Sequence, residues 1–231
     1  MTTLSPILPV STPRPSRTAP LRIVALGDSL IYGYGDPEGG GWVERLRRQW
    51  MRSDSAGHVL YNLGVRGDGV QQVMRRLEGE FRCRGELRHR VPDCIILSVG
   101  VNDSCRVGRA CGRLFTPFDR FQQDISTLIH QAHQLCPVLF VGMTPVNEAA
   151  MPFAECLYYA QTDQHKYNDA IRQACLAQGV PHLNLLDLWL SRGEGWWRSH
   201  LSSDGLHPNT LGYEALLQDV LAWPSFVAIL E

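Results

Sequence analysis

The sequence predicts an α/β protein, a three-layer α/β/α sandwich built on a five-stranded parallel sheet. Two observations support this. Short apolar runs alternate along the chain with segments whose apolar residues recur at helical spacing. The connections between successive runs are also long enough to hold a crossover helix. Such alternation is typical of a parallel sheet covered by helices on both faces. For five strands we expect the flavodoxin-like order 2-1-3-4-5.

Each predicted strand is a short apolar run that ends at glycine, proline or polar residues. The third run, Cys-Ile-Ile-Leu-Ser-Val, is the most apolar, as expected for a central strand buried on both faces. The predicted strands are residues 21–26, 58–63, 94–99, 138–143 and 182–188.

The predicted helices follow the strands. The clearest, at residues 119–135, carries one continuous apolar stripe. Asp68 is the expected N-cap of the helix that follows the second strand. The other predicted helices are residues 42–52, 158–178 and 210–223. Residues 32–41 contain five glycines and a proline and are predicted to be a loop, and the polar segment 191–203 has no assigned element.

Composition limits the possible functions. A chain of 231 residues, 44% hydrophobic and 19% charged, is typical of one globular domain. The net charge of −1 argues against a nucleic-acid partner or an anionic membrane surface. The seven cysteines form no C-x-x-C pair, so we predict neither a metal site nor a disulfide framework.

The first 20 residues are rich in proline, serine and threonine, and we expect them to form a disordered leader before a single domain at residues 21–231. The apolar run at residues 4–10 is broken by two prolines and is too short for a signal-peptide core. No segment has the roughly 18 consecutive apolar residues of a membrane span. The predicted location is therefore cytoplasmic.

Unusual polar residues follow the predicted strands. Asp28 and Ser29 follow the first strand, Arg66 follows the second, and Asn102 and Asp103 follow the third. The carboxyl ends of parallel strands meet at one edge of the sheet, where open α/β sheets bind ligands. Ser29 is therefore a candidate nucleophile, although an ordinary turn serine would give the same local pattern.

A nucleophilic serine needs a base, and the base needs a group that orients it. Of the eight histidines, His207 stands out because Asp204 precedes it by three residues in a tight Asp-Gly-Leu-His-Pro turn. A carboxylate at that offset can fix the imidazole tautomer. Alternatively, Asp204 caps a helix and His207 is incidental.

The tetrahedral oxyanion of acyl transfer needs positioned donors. The N–H groups of Ser29 and Gly64 and the side-chain amide of Asn102 are expected at the same edge of the sheet. Glycine permits close approach because it has no Cβ. Asn102 could instead be a turn former at a strand end.

Four sequence blocks together resemble the SGNH hydrolase superfamily, the GDSL-type esterases and lipases. They are residues 27–30, 62–64, 100–103 and 204–208, within a resemblance that spans residues 21–222. The resemblance implies a Ser-His-Asp hydrolase that needs no cofactor. By matching position, Ser29 is the nucleophile, His207 the general base and acid, and Asp204 its orienter. Ser29, Gly64 and Asn102 then form the oxyanion hole.

The resemblance implies hydrolysis of a small carboxylic ester through an acyl-enzyme on Ser29. The substrates it allows include short to medium acyl esters, lysophospholipids and thioesters. A carbohydrate O-deacetylase with the same triad and a non-catalytic binding protein are the alternatives. A nucleotide binder is disfavoured, since residues 27–33 lack the glycine patterns of such sites.

Further charged residues are expected around the site. Asp28, Arg66 and Asp103 are expected to support it, and Arg66 either pairs with a carboxylate or contacts an anionic substrate. Three arginines of the loop at residues 103–118 either also favour an anionic substrate or belong to a solvated loop. They are Arg106, Arg109 and Arg113. The pair Trp196-Trp197 either covers an acyl pocket or packs in the core.

Overall fold

The structure is a computed structural model that describes residues 19–84 and 91–231. The leader predicted at residues 1–20 lies outside these ranges, apart from its last two residues. Within the described ranges, none of the helices is both long enough and apolar enough to cross a bilayer.

The strands of the described chain form one large sheet and one small ribbon. They are β1 (Arg22–Gly27), β2 (Val59–Gly64), β3 (Cys94–Ser98), β4 (Arg106–Val107), β5 (Val138–Val141), β6 (Leu157–Tyr158) and β7 (His182–Leu183). The large sheet is parallel and has the order β2-β1-β3-β5-β7, while β4 and β6 pair antiparallel. Counted within the large sheet alone, this is the predicted order 2-1-3-4-5, which is confirmed.

Helices cover both faces of the sheet. They are α1 (Ser29–Tyr32), α2 (Gly41–Trp50), α3 (Val70–Cys83), α4 (Phe118–Leu135), α5 (Gln161–Ala177), α6 (Leu185–Ser191), α7 (Glu194–Ser199), α8 (Thr210–Leu221) and α9 (Pro224–Leu230). Short 3₁₀ turns occur at Asn102–Ser104 and Glu148–Ala150.

The sheet separates two hydrophobic cores because alternate strand residues point to opposite faces. In β1, Val24 and Leu26 pack with α3, α4 and α5, whereas Ile23 and Ala25 pack with α2 and α8. All four are fully buried, and burial of the three larger side chains, Ile23, Val24 and Leu26, contributes about 1.5–3 kcal/mol each relative to the exposed state. A shift of one residue would exchange the two faces, so burial specifies the register. The predicted three-layer sandwich is confirmed.

The register also aligns the ends of the strands that carry the candidate residues. Gly27 at the end of β1 lies opposite Gly64 of β2 and Ser98 of β3. The turns that follow these three strands therefore leave the sheet at one level and on one edge.

Two local predictions are wrong. The predicted last strand continues to residue 188, but β7 ends at Leu183, because Asn184 caps α6 by accepting a hydrogen bond from the Asp187 N–H. Asp68 is not the N-cap of α3: Gly69 takes that position, and the Asp68 carboxylate binds Arg76 at 2.8 Å.

Candidate active site

Ser29 is the first residue of α1, directly beyond β1. Asp28 caps this short helix by accepting a hydrogen bond from the Leu30 N–H at 2.9 Å. The strand can end here only at glycine, because a Cβ on Gly27 would lie 1.9 Å from the Ser98 carbonyl oxygen. The tight turn holds Ser29 at the edge of the sheet, with 4% of the residue exposed.

Ser29, His207 and Asp204 form one hydrogen-bonded chain. The Ser29 Oγ lies 2.9 Å from His207 Nε2, and His207 Nδ1 lies 2.7 Å from Asp204 Oδ2. Ser29 and His207 are 178 positions apart in the sequence. These distances align a hydroxyl group, an imidazole and a carboxylate in the order that activation of a hydroxyl group by a general base requires.

The Asp204 carboxylate is held in its ionised form. Its other oxygen accepts hydrogen bonds from the backbone N–H groups of Leu206 and His207, at 2.9 and 3.0 Å. Burial raises the pKa of Asp204, but the hydrogen bonds from His207 and Leu206 outweigh burial and leave the pKa below its ordinary value. An ionised Asp204 accepts a hydrogen bond from the Nδ1–H group of His207 and leaves Nε2 directed at Ser29.

The turn that presents His207 is closed by its own hydrogen bonds. The Ser202 N–H donates to the His207 carbonyl at 2.7 Å, and Gly205 has a φ of 69°. Asn209, not Asp204, caps the following helix α8, through a hydrogen bond from the Gly212 N–H. Asp204 is therefore not used as a helix cap, and its side chain serves His207.

The side-chain amide of Asn102 is oriented by two hydrogen bonds. Its Nδ2 donates to the Asp68 carbonyl at 2.9 Å, and its Oδ1 accepts from the Tyr159 hydroxyl at 3.2 Å. These partners distinguish the oxygen from the nitrogen. Nδ2 keeps a second hydrogen for a ligand, since an amide nitrogen has two donors.

The structure places Gly67, rather than Gly64, in the cavity beside Ser29. The Gly64 N–H donates to Asn62 Oδ1 at 3.1 Å, and a Cβ at this position would lie 2.1 Å from the backbone nitrogen of Tyr32. Gly64 is thus required for packing against α1. Gly67 lies three residues later in a β-turn, with a φ of 83° that suits glycine.

Ser29 opens into a cavity of about 290 Å³. One part of its surface is polar and another is apolar. Its lining residues are Ser29, Arg66, Gly67, Asn102, Phe153, Leu157, Tyr159, Leu206 and His207. Two rings flank the imidazole of His207, with Tyr34 at 4.6 Å and Phe153 at 5.5 Å between ring centres. A small polar group on an apolar chain would fit this space.

Residues 25–215 match the model of the GDSL-like lipase/acylhydrolase family. The chain belongs to this family. The resemblance drawn from the four sequence blocks is thereby confirmed, and the family's general activity is that of an esterase or acylhydrolase.

Individual relatives are distant. Human platelet-activating factor acetylhydrolase IB subunit alpha1 is 26% identical over 194 residues, which are 83% of this chain and 70% of that protein. The crystal structure of a lipase/acylhydrolase from Enterococcus faecalis superimposes with a TM-score of 0.67 at 22% identity, covering 87% of this chain and 93% of that one. An acetylxylan esterase from Geobacillus stearothermophilus gives 0.65 at 15% identity, covering 88% and 93%. Both structures share the fold.

Two buried carboxyl groups support the turns of the site. Asp103 accepts hydrogen bonds from Thr116 Oγ1 at 2.7 Å and from the Val70 N–H at 3.0 Å, which ties the end of β3 to α3. Asp28 is fully buried, and its Oδ2 has no hydrogen-bond partner among the described residues. Burial is the main cause that raises the pKa of Asp103 to about 6 and of Asp28 to about 7. Asp103 and Asp68 add negative charge near Asp28.

The raised pKa of Asp28 predicts a pH-dependent stability. Because its pKa is 3.8 when unfolded and about 7 when folded, the folded state binds this proton more tightly. The free energy of unfolding should therefore fall as the pH rises through that interval. The asparagine of the Asp28→Asn variant cannot ionise. The free energy of unfolding of this variant, relative to that of the wild type, should therefore increase by a few kcal/mol across the interval, at about 1.4 kcal/mol per pKa unit. Urea denaturation at several pH values measures the difference.

Asp54→Asn is the control, because Asp54 is an exposed carboxylate far from the site in sequence. It should follow the wild-type pH dependence. If Asp28→Asn and the wild type differ by a constant amount at every pH, the raised pKa of Asp28 is contradicted.

Sequence reasoning missed several residues that hold the site together. Arg76 of α3 binds the Leu63 and Gly27 carbonyl oxygens at 2.7 and 2.8 Å, in addition to the Asp68 carboxylate. It joins the ends of β1 and β2 to the turn that carries Gly67. Tyr159 orients Asn102 across 57 residues of sequence. No local pattern marks either side chain, because both act through contacts that form only in the folded chain.

Other predicted residues lie elsewhere. Arg106 binds the Asp163 carboxylate at 2.6 and 3.0 Å, and neither Arg109 nor Arg113 lines the cavity beside Ser29. Trp196 and Trp197 belong to α7 and pack in or against the second core. The arginine loop and the tryptophan pair are therefore not part of this site.

Proposed function

We propose that this protein hydrolyses carboxylic esters of short acyl groups through an acyl-enzyme on Ser29. The observation that carries the proposal is the unbroken hydrogen-bonded chain from Ser29 through His207 to Asp204, with Ser29 lining a small cavity. Membership of an esterase and acylhydrolase family supports the reaction class.

In the first step, Ser29 Oγ attacks the ester carbonyl carbon while His207 Nε2 accepts the hydroxyl proton. Asp204 stabilises the resulting imidazolium. The carbonyl oxygen becomes an oxyanion, for which the N–H groups of Ser29 and Gly67 and the second amide hydrogen of Asn102 are the proposed donors. In the described part of the chain, neither of the two backbone N–H groups has an acceptor, which leaves them available.

In the second step, the tetrahedral intermediate collapses. The bond to the alcohol oxygen breaks, and His207 returns its proton to that oxygen, so that a neutral alcohol leaves and the acyl group stays on Ser29. Water then attacks the acyl carbon while His207 again accepts a proton. Release of the carboxylic acid restores the Ser29 hydroxyl group and neutral His207.

Three features favour a short acyl group. The cavity of about 290 Å³ is at the lower end of the range for small-molecule sites. Phe153, Leu157 and Leu206 supply an apolar surface for a hydrocarbon chain. The names of two relatives describe an acetylhydrolase and an acetylxylan esterase, both of which act on acetyl groups.

A series of 4-nitrophenyl esters from acetate to decanoate tests the proposed function. We expect kcat/KM to be highest between acetate and butyrate and to fall at least about tenfold by octanoate, since an extra methylene in a filled pocket costs about 1–3 kcal/mol. Phe153→Ala enlarges the cavity and should move the optimum to longer chains. A kcat/KM that rises steadily with chain length would contradict the short-acyl proposal, and absence of turnover for every ester would contradict the proposed reaction.

A further inference from the structure

We propose that the alcohol part of the natural substrate carries an anionic group, a carboxylate or a phosphate, which Arg66 binds. This inference rests on the proposed ester hydrolysis and specifies its substrate class. It begins from the position of Arg66, which lines the cavity together with Ser29, Gly67 and His207.

Arg66 has no counter-charge among residues 19–84 and 91–231. No carboxylate of the described chain lies within ion-pair distance of its guanidinium group. The acidic residues on neighbouring turns already have partners: Asp68 binds Arg76, and Asp204 binds His207. The Arg66 guanidinium instead lies over the Tyr34 ring, 3.8 Å from its centre. Stacking of this kind leaves the N–H groups at the guanidinium edge free for a carboxylate or phosphate.

Hydrogen bonds hold the backbone of both segments that carry this stack. The turn that carries Arg66 is fixed by hydrogen bonds from the Val65 N–H to the Gly27 carbonyl at 3.0 Å and from the Asp68 N–H to the Val65 carbonyl at 3.2 Å. The Tyr34 carbonyl accepts a hydrogen bond from the Tyr213 hydroxyl at 2.9 Å. The Arg66 side chain is exposed, and its stack on the Tyr34 ring restrains the guanidinium group, which reduces the conformational entropy lost when an anion binds.

The charge of the cavity also favours an anion. Among its described lining residues, Arg66 is the one arginine or lysine, and none of the others is acidic. Arg106, in the loop at residues 103–118, is already paired with Asp163. A negative group entering the cavity therefore meets a positive charge and no opposing carboxylate in its lining.

The position of Tyr34 indicates which half of the substrate carries the charge. Its ring contacts the Arg66 guanidinium and, 4.6 Å from ring centre to ring centre, the imidazole of His207. His207 gives its proton to the leaving alcohol oxygen in the proposed mechanism. Because the Tyr34 ring lies nearer to the imidazole than the Phe153 ring does, 4.6 against 5.5 Å between ring centres, we assign the alcohol half of the ester to the side of Tyr34 and Arg66.

Three aryl acetates that differ at one position test the inference. They are 4-carboxyphenyl acetate, 4-acetoxyphenyl phosphate and the neutral 4-carbamoylphenyl acetate, which has nearly the shape of the carboxylate. The measured quantity is the ratio of kcat/KM for each anionic ester to that for the neutral ester. We expect Arg66→Gln to lower at least one ratio about tenfold or more, the scale of a charge-assisted hydrogen bond. Arg66→Lys should retain part of the preference.

Arg109→Gln is the matched control, because it removes the same charge from an exposed residue outside the cavity. It should keep the wild-type ratios. A second pair, monomethyl succinate and methyl succinamate, places the charge on the acyl side, where we expect no preference that depends on Arg66. The larger of the two aryl ratios identifies carboxylate or phosphate as the bound anion.

If Arg66→Gln leaves both kcat/KM ratios of the aryl acetates unchanged, the inference is overturned. An Arg66-dependent preference found only for the pair with the charge on the acyl side would overturn it as well. Rapid turnover of the neutral ester in that case would leave the proposed ester hydrolysis standing. Failure to hydrolyse any of the esters would instead contradict the proposed function itself.

Discussion

Ser29→Ala should abolish ester hydrolysis, with a fall in kcat of roughly 10⁴-fold or more for 4-nitrophenyl acetate. The expected effect is large because alanine removes the only atom that forms the covalent bond with the acyl group. The oxyanion donors and the cavity remain, so a small residual rate above the uncatalysed reaction is expected. Steady-state kinetics measure the loss.

Two controls separate loss of chemistry from loss of structure. Ser29 is buried, but within the described part of the chain its side chain makes one hydrogen bond, to His207, so Ser29→Ala should keep the wild-type circular dichroism spectrum and a similar melting temperature. Ser203→Ala alters an exposed serine next to Asp204 and should retain full activity. A folded Ser29→Ala protein with near wild-type turnover would remove Ser29 from the role of nucleophile.

Asn102→Ala should lower kcat by about 10²–10³-fold with a much smaller change in KM. The reason is that the proposed Asn102 donor faces charge that develops only in the transition state, so its loss affects the chemical step more than binding. Measuring kcat and KM separately for a short-chain ester distinguishes these effects.

Tyr159→Phe provides a graded comparison for Asn102. It removes the hydroxyl group that donates to Asn102 Oδ1 but keeps the amide and the hydrogen bond to the Asp68 carbonyl. We expect a loss of kcat that is clearly smaller than that of Asn102→Ala. Near wild-type kcat in Asn102→Ala, or a reduction seen only in KM, would be inconsistent with a donor to the oxyanion.

The sequence was sufficient to predict the features that depend on topology. The alternation of apolar runs and amphipathic segments predicts the parallel sheet and its order, and a parallel sheet brings its carboxyl ends to one edge. The convergence of Ser29 and Asn102 follows from this rule. The pairing of Asp204 with His207 follows from their spacing in a tight turn.

Features that depend on exact backbone paths could not be predicted in the same way. Gly64 and Gly67 both follow β2, and the sequence alone does not show which N–H reaches the cavity. The structure separates them, because the Gly64 N–H is bound by Asn62 and its Cα packs against α1. Similarly, the apolar run after Leu183 has the composition of a buried strand, and only the cap at Asn184 starts a helix there.

The sequence left two roles open for Arg66 and did not identify Arg76 or Tyr159. Each is defined by partners that are distant along the chain or on another turn, such as the Tyr34 ring beneath Arg66. A long side chain at the sheet edge has many geometrically possible partners, and periodicity does not choose among them.

Covalent labelling with a fluorophosphonate tests directly whether Ser29 is an activated nucleophile. Such a reagent phosphonylates an activated serine by the same attack that begins ester hydrolysis, so it also separates an enzyme from a non-catalytic binding protein on this fold. We expect one adduct per chain, located on Ser29 by peptide mass spectrometry and absent from Ser29→Ala. An unlabelled wild-type protein, or an adduct on another residue that survives Ser29→Ala, would contradict it.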